Sequence, residues 1–384
     1  MTNTKKTKEN HPVLAICYDF DKTLSPDDMQ AQGYIQSVGY DIEAFWKESN
    51  ATAKDNDMDT NLAYMYKMVQ EAQGHIVFNR KALEDYGSKV SLFPGVEDWF
   101  ERIREYGKQH GVIVEHYIIS SGLKEMIEGT RIAKDGAFEK IYASSFYYNE
   151  RGVAVWPAQV INYTNKTQFL FRIEKGVLDI NDPDVNEFFA PEDIRVPFRN
   201  MVYIGDSDTD IPCMKLVNSY GGHSIGVFNN DTLDKTKVFK MLHDNRIRYF
   251  APADYRKDSE LDKLVKAIID RTSTNEVLEN KYFNCKKEKE QNDMNKVKQN
   301  HTNLITSLDR SHNFETTHSI IQRLLEIEQW EPDEIETLLN IAINNHPVRY
   351  LLNDLDVKSF YRKIISQLPE QTEKSRKVAS FFKK

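Results

Sequence analysis

Three short segments of this chain combine residue types that could do chemistry together. Asp19-Phe20-Asp21-Lys22-Thr23 directly follows the apolar run Val13–Tyr18. Backbone alternation sends Asp19 and Asp21 to the same side. Two carboxylates at the end of a buried strand are costly to desolvate unless a cation or a reaction uses them. A second apolar run, 112–119, stops at Ser120-Ser121-Gly122, and a third, 201–204, stops at Gly205-Asp206-Ser207-Asp208-Thr209-Asp210. If the three strands are parallel, Asp19, Asp21, Asp206 and Asp210 converge on one sheet edge, where open α/β sheets bind ligands. Four carboxylates without histidine or cysteine suit a hard cation with oxygen ligands, magnesium foremost. Magnesium pairs with phosphate oxygens, so a small phosphorylated substrate is expected. Ser120, with the backbone amides of Ser121 and Gly122, can hold a phosphate. Lys166, at the start of a helix, can add positive charge. Each segment alone also fits an ordinary solvated turn, and Lys175 rivals Lys166.

The elements that must position these groups can be read from the pattern. The short apolar runs read as buried parallel strands. Residues 141–163 alternate around Asn149-Glu150-Arg151-Gly152 and predict a hairpin. Helices are expected over 96–109 and 166–175, with further strands at 224–228 and 248–250 and a helix at 261–269. Strands alternating with helices imply βαβ units and a Rossmann-like, three-layer αβα core with a parallel sheet. Residues 27–87 break that rhythm with helices at about 27–38, 41–53 and 61–73, and so read as an insertion. Residues 1–10 are polar and expected to be mobile. Residues 275–300 are rich in Lys, Asn, Glu and Gln, and read as a linker or an exposed helix. Residues 316–367 regain helical periodicity, as in Ile320, Ile321, Leu324 and Leu325. The resulting division is a core from 1–26 and 88–272, an inserted helical block at 27–87, and a linker with a helical C-terminal module at 273–384.

Composition narrows the class. A chain of 384 residues suggests two or three domains. The net charge of −8 does not favour a nucleic-acid surface. Cys17, Cys213 and Cys285 are odd in number and widely spaced, which argues against disulfides and zinc and fits a reducing cytoplasm. No stretch approaches the roughly 20 apolar residues that span a bilayer. His11, His116, His223 and His318 have no metal-ligand spacing.

The ordered segments resemble the haloacid-dehalogenase (HAD) superfamily, and within it the phosphoserine-phosphatase-like branch. Asp19 to Thr23 is similar to its Asp-x-Asp-x-Thr motif. Ile118-Ile119-Ser120-Ser121-Gly122 is similar to Val-Val-Ser-Gly-Gly, Lys166 to the motif lysine, and Gly205 to Asp210 to Gly-Asp-x-x-x-Asp. The likeness covers about residues 12–272. Lys22 stands where Gly is common, and Ser121 replaces a Gly. The resemblance implies a phosphatase in which Asp19 is the nucleophile and Asp21 the general acid and base. Magnesium would be held by Asp19, the Asp21 carbonyl and Asp206, with Asp210 behind them. Ser120 and Lys166 would bind phosphate. The family places a mobile cap where 27–87 lies, so Gln30, Tyr34, Trp46, Lys47, Tyr64 and Tyr66 are specificity candidates. Phosphotransfer to another acceptor, hydrolysis of a phosphoprotein, and a regulatory protein acting through its C-terminal module stay open. So does a partner or oligomer contact at 316–367. Dehalogenation needs no magnesium and suits the acidic fourth motif poorly.

Overall fold

The computed structural model describes residues 5–232 and 234–382. Seven strands form one sheet: β1 (Val13–Tyr18), β2 (Ile113–Leu123), β3 (Lys140–Tyr148), β4 (Ala154–Gln159), β5 (Met201–Gly205), β6 (His223–Phe228) and β7 (Tyr249–Pro252). Their order is β4-β3-β2-β1-β5-β6-β7. Every pairing is parallel except the β3–β4 hairpin. All six residues of β1 are buried, because the strand is central and covered on both faces.

Side-chain alternation divides the sheet into two cores. Leu14, Ile16 and Tyr18 pack with Val202 and Ile204 against Trp99, Phe100 and Ile103 of the helix Val96–Gln109. Val13, Ala15 and Cys17 pack with Met201 and Tyr203 against Phe169, Ile173, Met214 and Val217. The last four belong to the helices Thr167–Lys175 and Ile211–Ser219. Helices on both faces make a three-layer αβα core.

Between β1 and β2 the chain is helical: Met29–Gln32, Tyr34–Ser37, Ile42–Asp55, Thr60–Glu71 and Arg80–Gly87. Ile42–Asp55, Thr60–Glu71 and Arg80–Gly87 start on side-chain caps, Asp41, Asp59 and Asn79, each accepting from backbone amides of the first turn. Arg80–Gly87 was not foreseen as a separate helix. It crosses the helix Lys124–Gly129 at bare glycines. A Cβ on Gly87 would lie 1.9 Å from the Met126 carbonyl oxygen, and one on Gly129 would lie 2.1 Å from that of Glu84.

Three expectations need correction. The segment 5–10 is anchored: the Lys6 amide donates to the Gly176 carbonyl at 2.8 Å, and its ammonium pairs with Glu115 at 2.6 Å and Glu139 at 2.7 Å. β2 does not stop at Ser120. It continues to Leu123 across a register break in its pairing with β3. The helix expected at 261–269 and the polar stretch after it are one helix, Glu260–Asp309. Its start packs into the first core through Leu261, Val265, Ile268 and Ile269. Every residue from 284 to 300 is exposed.

The chain forms two compact units, one ending at Asn280 and the other beginning at Lys281. The second has its own core, in which Leu304 and Leu308 meet Ile321, Leu324, Leu338, Leu339 and Phe360. Among the described residues, no helix is long and apolar enough to cross a membrane.

Candidate active site

Asp19 lies just past β1, where its amide still donates to the Ile204 carbonyl of β5 at 3.0 Å. That bond ties the first acidic segment to the strand that delivers the second. Phe20 then turns the chain, its carbonyl accepting from the amides of Thr23, Leu24 and Ser25. The turn needs Lys22 in the left-handed region, at φ 57°, where Gly is the unstrained residue. The Tyr255 hydroxyl fixes the turn by donating to the Thr23 carbonyl at 2.8 Å.

Asp19, Asp206 and Asp210 each place a carboxylate oxygen within 4.8 Å of the others. Asp210 is fully buried and its oxygens are occupied. One accepts from Lys166 Nζ at 2.8 Å and from the Tyr203 hydroxyl at 2.9 Å. The other accepts from the Ser207 amide and hydroxyl, both at 2.9 Å. Asp19 is different. Its Oδ1 is buried and has no hydrogen-bond partner, although Lys166 Nζ lies 3.5 Å away. Asp206 keeps one oxygen near the Thr23 hydroxyl at 3.5 Å and the other 3.6 Å from Lys237 Nζ. Asp19 and Asp206 thus hold the unsaturated oxygens, while those of Asp210 are taken up by Lys166, Tyr203 and Ser207.

The Asp21 side chain accepts from the Met29 amide at 2.8 Å, at the entrance to the helical block. Its second oxygen sits over Gly122, where a Cβ would be 2.8 Å from it and 2.5 Å from the Met29 methyl. Gly122 is therefore a spacing residue. Its amide, foreseen as a phosphate donor, donates here to Ser120 Oγ at 3.1 Å. Ser120 is buried, and the buried Ser121 hydroxyl has no partner.

Lys166 ends the turn Tyr163–Lys166 and is completely buried. Lys175 is elsewhere, its ammonium spent on the carbonyls of Val185 and Glu187. Tyr203 and Lys237 were missed by sequence reading. Tyr203 looked like one more apolar strand residue, and nothing near Lys237 marks it.

The electrostatics follow from packing acids together out of water. Burial, then repulsion from Asp210, raises Asp19 to about 6, with Lys166 opposing. Burial, then Asp210, raises Asp206 to about 7, with Lys237 and Lys22 opposing. Asp21 is held well above the ordinary carboxylate range by burial, then by Asp28 and Asp19. Lys166 is raised because Asp19 and Asp210 outweigh its burial. An orphaned carboxylate oxygen beside a second unsaturated carboxylate, with oxygen donors only, is the environment a hard divalent cation fits.

Of the specificity candidates, Tyr64 donates its hydroxyl to the Ser121 carbonyl at 2.8 Å. Trp46 meets Tyr64 edge-on at 5.8 Å, and its buried indole N–H has no partner. Gln30 is buried. Tyr34 is committed to the Met68 carbonyl inside the helical block. Lys47 and Tyr66 point to solvent.

The sequence matches the profile of the haloacid dehalogenase-like hydrolases over residues 16–215. A protein of Borreliella burgdorferi described as uncharacterized is 28% identical over 280 residues, covering 66% of this chain and 95% of that protein. Among solved structures, a HAD family hydrolase from Salmonella enterica serovar Typhi aligns with 15% identity and TM-score 0.45, covering 68% of this chain and 73% of its own. A phosphoserine phosphatase in a phospho-aspartyl intermediate analogue form aligns with 16% identity and TM-score 0.40, covering 67% and 99%. A cytosolic 5'-nucleotidase IIIB bound to cytidine aligns with 14% identity and TM-score 0.40, covering 68% and 87%.

Proposed function

This chain belongs to the haloacid dehalogenase-like hydrolase family, and from that premise we propose that it is a magnesium-dependent phosphatase acting on a small phosphomonoester through an aspartyl-phosphate on Asp19. The observation that carries this reading is the meeting of Asp19, Asp206 and Asp210 at one edge of the sheet, the first and last buried and Asp206 partly so, with Lys166 beside Asp19 and Asp210. Mg2+ would be held by Asp19, Asp206 and the Asp21 carbonyl, with Asp210 behind them. When bound, it neutralises charge on the phosphoryl oxygens and on the carboxylates around them.

Asp19 attacks phosphorus in line, and the bond to the leaving oxygen breaks as the Asp19–phosphorus bond forms. Asp21 gives its proton to that oxygen. The raised Asp21 carboxyl supports this role, because a general acid must hold its proton near neutral pH. Met29 occupies one Asp21 oxygen, leaving the other for proton transfer. In the second step Asp21 takes a proton from water attacking phosphorus, and Asp19 is released. Lys166, held by Asp210, offsets charge on Asp19 and the phosphoryl group. Ser120, Ser121 and Gly122 at the end of β2 would face the phosphoryl oxygens, with Gly122 exchanging its bond to Ser120 for one to phosphate.

Residues 27–87 act as the cap over a core formed by 1–26 and 88–272. The contacts of Met29 with Asp21 and of Tyr64 with Ser121 support that assignment. No residue of 273–384 is assigned a catalytic role. The test is phosphate release from a panel of phosphomonoesters with Mg2+ and with EDTA. Turnover should vanish with EDTA and in Asp19→Asn, which keeps the shape and removes the nucleophile. An Asp19→Asn variant that turns over at the normal rate rules out the assigned nucleophile.

A further inference from the structure

Two lysines outside the catalytic set stand at the Asp206 side of the site. Lys22 comes from the turn after β1 and Lys237 from the helix Thr236–His243. Lys237 Nζ lies 3.6 Å from Asp206, and Lys22 directly follows Asp21 in the turn that carries Asp19. Unlike Lys166, both are accessible: their side chains are 49% and 47% exposed. Long, flexible stems let such ammonium groups follow a ligand.

Lys22 also sits where a lysine is disfavoured. At φ 57° its Cβ is strained, and Gly would be free of that strain. A strained non-glycine residue beside reacting groups is an observation that calls for a use. One local use is visible, an ion pair with Asp28 at 2.9 Å, but that pair is half-exposed and worth little.

We infer that Lys22 and Lys237 form a cationic lip that selects phosphomonoesters carrying a second anionic group on the leaving portion. This rests on the phosphatase reading above. Two mobile ammonium groups match a second phosphate in charge, and a carboxylate offers the same chemistry with one charge fewer. The scissile phosphoryl group has Lys166 and the cation for itself, so the outer pair is left for the rest of the substrate.

The experiment compares three matched compounds with the full chain and Mg2+: 3-hydroxypropyl phosphate, propane-1,3-diyl bisphosphate and 3-phosphonooxypropanoate. We expect kcat/KM for at least one dianionic-tail or carboxylate arm to exceed that of the hydroxyl arm about tenfold, mostly through KM. Which arm gains identifies the second anion. Lys22→Gly and Lys237→Met should each remove most of that preference while hydrolysis of the hydroxyl arm changes less than about threefold. Lys22→Gly should also melt slightly higher, by roughly 2 °C, because the strain is relieved. Asp28→Asn separates a ligand from a staple. It should keep or increase the preference if Lys22 binds substrate, whereas mimicry of Lys22→Gly overturns the inference. Equal kcat/KM in all three arms, or a preference that survives both lysine substitutions, also overturns it while leaving the phosphatase reading intact. No release from any arm removes both.

Discussion

At the scale of residues, the site is set by which oxygens are already satisfied. The sequence reading puts Asp210 behind the metal ligands, and four donors, Lys166 among them, already occupy its oxygens. Asp19 keeps a buried oxygen with no hydrogen-bond partner. Burial raises both carboxyls of the first segment, Asp19 to about 6 and Asp21 well above its ordinary range, the latter helped by Asp28 and Asp19. A carboxyl that holds its proton is what the general-acid role proposed for Asp21 needs. How Asp21 is seated therefore matters, and Gly122 is the seat. Gly122→Ala puts a methyl 2.8 Å from the free Asp21 oxygen and 2.5 Å from the Met29 methyl. The flexible Met29 can yield, so the fold should survive with little change in melting temperature. Asp21 must move, so kcat should fall at least about tenfold, a loss in the range that general acid catalysis supplies. Steady-state phosphate release alongside thermal melting measures both. Wild-type kcat in this variant would mean that Asp21 does not work from the position seen here.

At the scale of elements, the legible parts were those whose pattern is local. β1, β2 and β5 announce themselves as short apolar runs closed by a carboxylate or hydroxyl, and the alternation within them already divides the two cores. Lys237 was invisible because its contact with Asp206 is made by the fold and leaves no mark nearby. For the helix Glu260–Asp309 the pattern marks only 261–269 as a helix and leaves 275–300 as a linker or an exposed helix, because the polar middle has no apolar period; the exposed helix is what the chain forms. What carries it through is the helix preference of Lys, Glu and Gln together with pairs one turn apart, such as Lys289 with Asp293 at 3.6 Å. The C-terminal unit shows a different kind of element pairing. His318 on Phe314–Leu325 joins Leu355–Ile365 through both ring nitrogens, to Asp356 at 2.8 Å and to Asp354 at 3.3 Å. Two carboxylate partners favour the charged ring, so the pKa of His318 is raised, chiefly by the Asp356 hydrogen bond. Because the folded value exceeds the unfolded one, the stabilisation is complete below about 6.5 and is lost as pH rises through the folded value. Asp356 is held below its ordinary range, His318 outweighing its burial, so its share disappears only in acid. Calorimetric melting of the C-terminal unit should show a decline as pH rises above about 6.5 that His318→Gln flattens. Parallel curves for the two proteins would show that the pair does not link the helices energetically.

At the scale of the whole molecule, the two units share one continuous helix but not one core. Leu261, Val265, Ile268 and Ile269 belong to the first core, whereas Leu304, Ile305 and Leu308 belong to the second. Between them, residues 284 to 300 bury nothing. A helix exposed on all sides is held by its own hydrogen bonds and side-chain pairs, so it opens locally at far lower cost than either core. The lysines there, among them Lys286, Lys289 and Lys296, make it a trypsin target. Brief digestion should therefore cut first between 284 and 300 and leave two resistant fragments. Every residue placed in the catalytic reading precedes that cut, the last being Asp210, and the core supporting them closes with the start of the long helix. The N-terminal fragment should therefore keep kcat within about twofold of the full chain, measured by phosphate release from the same preparation before and after digestion. If turnover falls tenfold while the fragment still melts cooperatively, the C-terminal unit takes part in catalysis, and the division of labour between the units has to be redrawn.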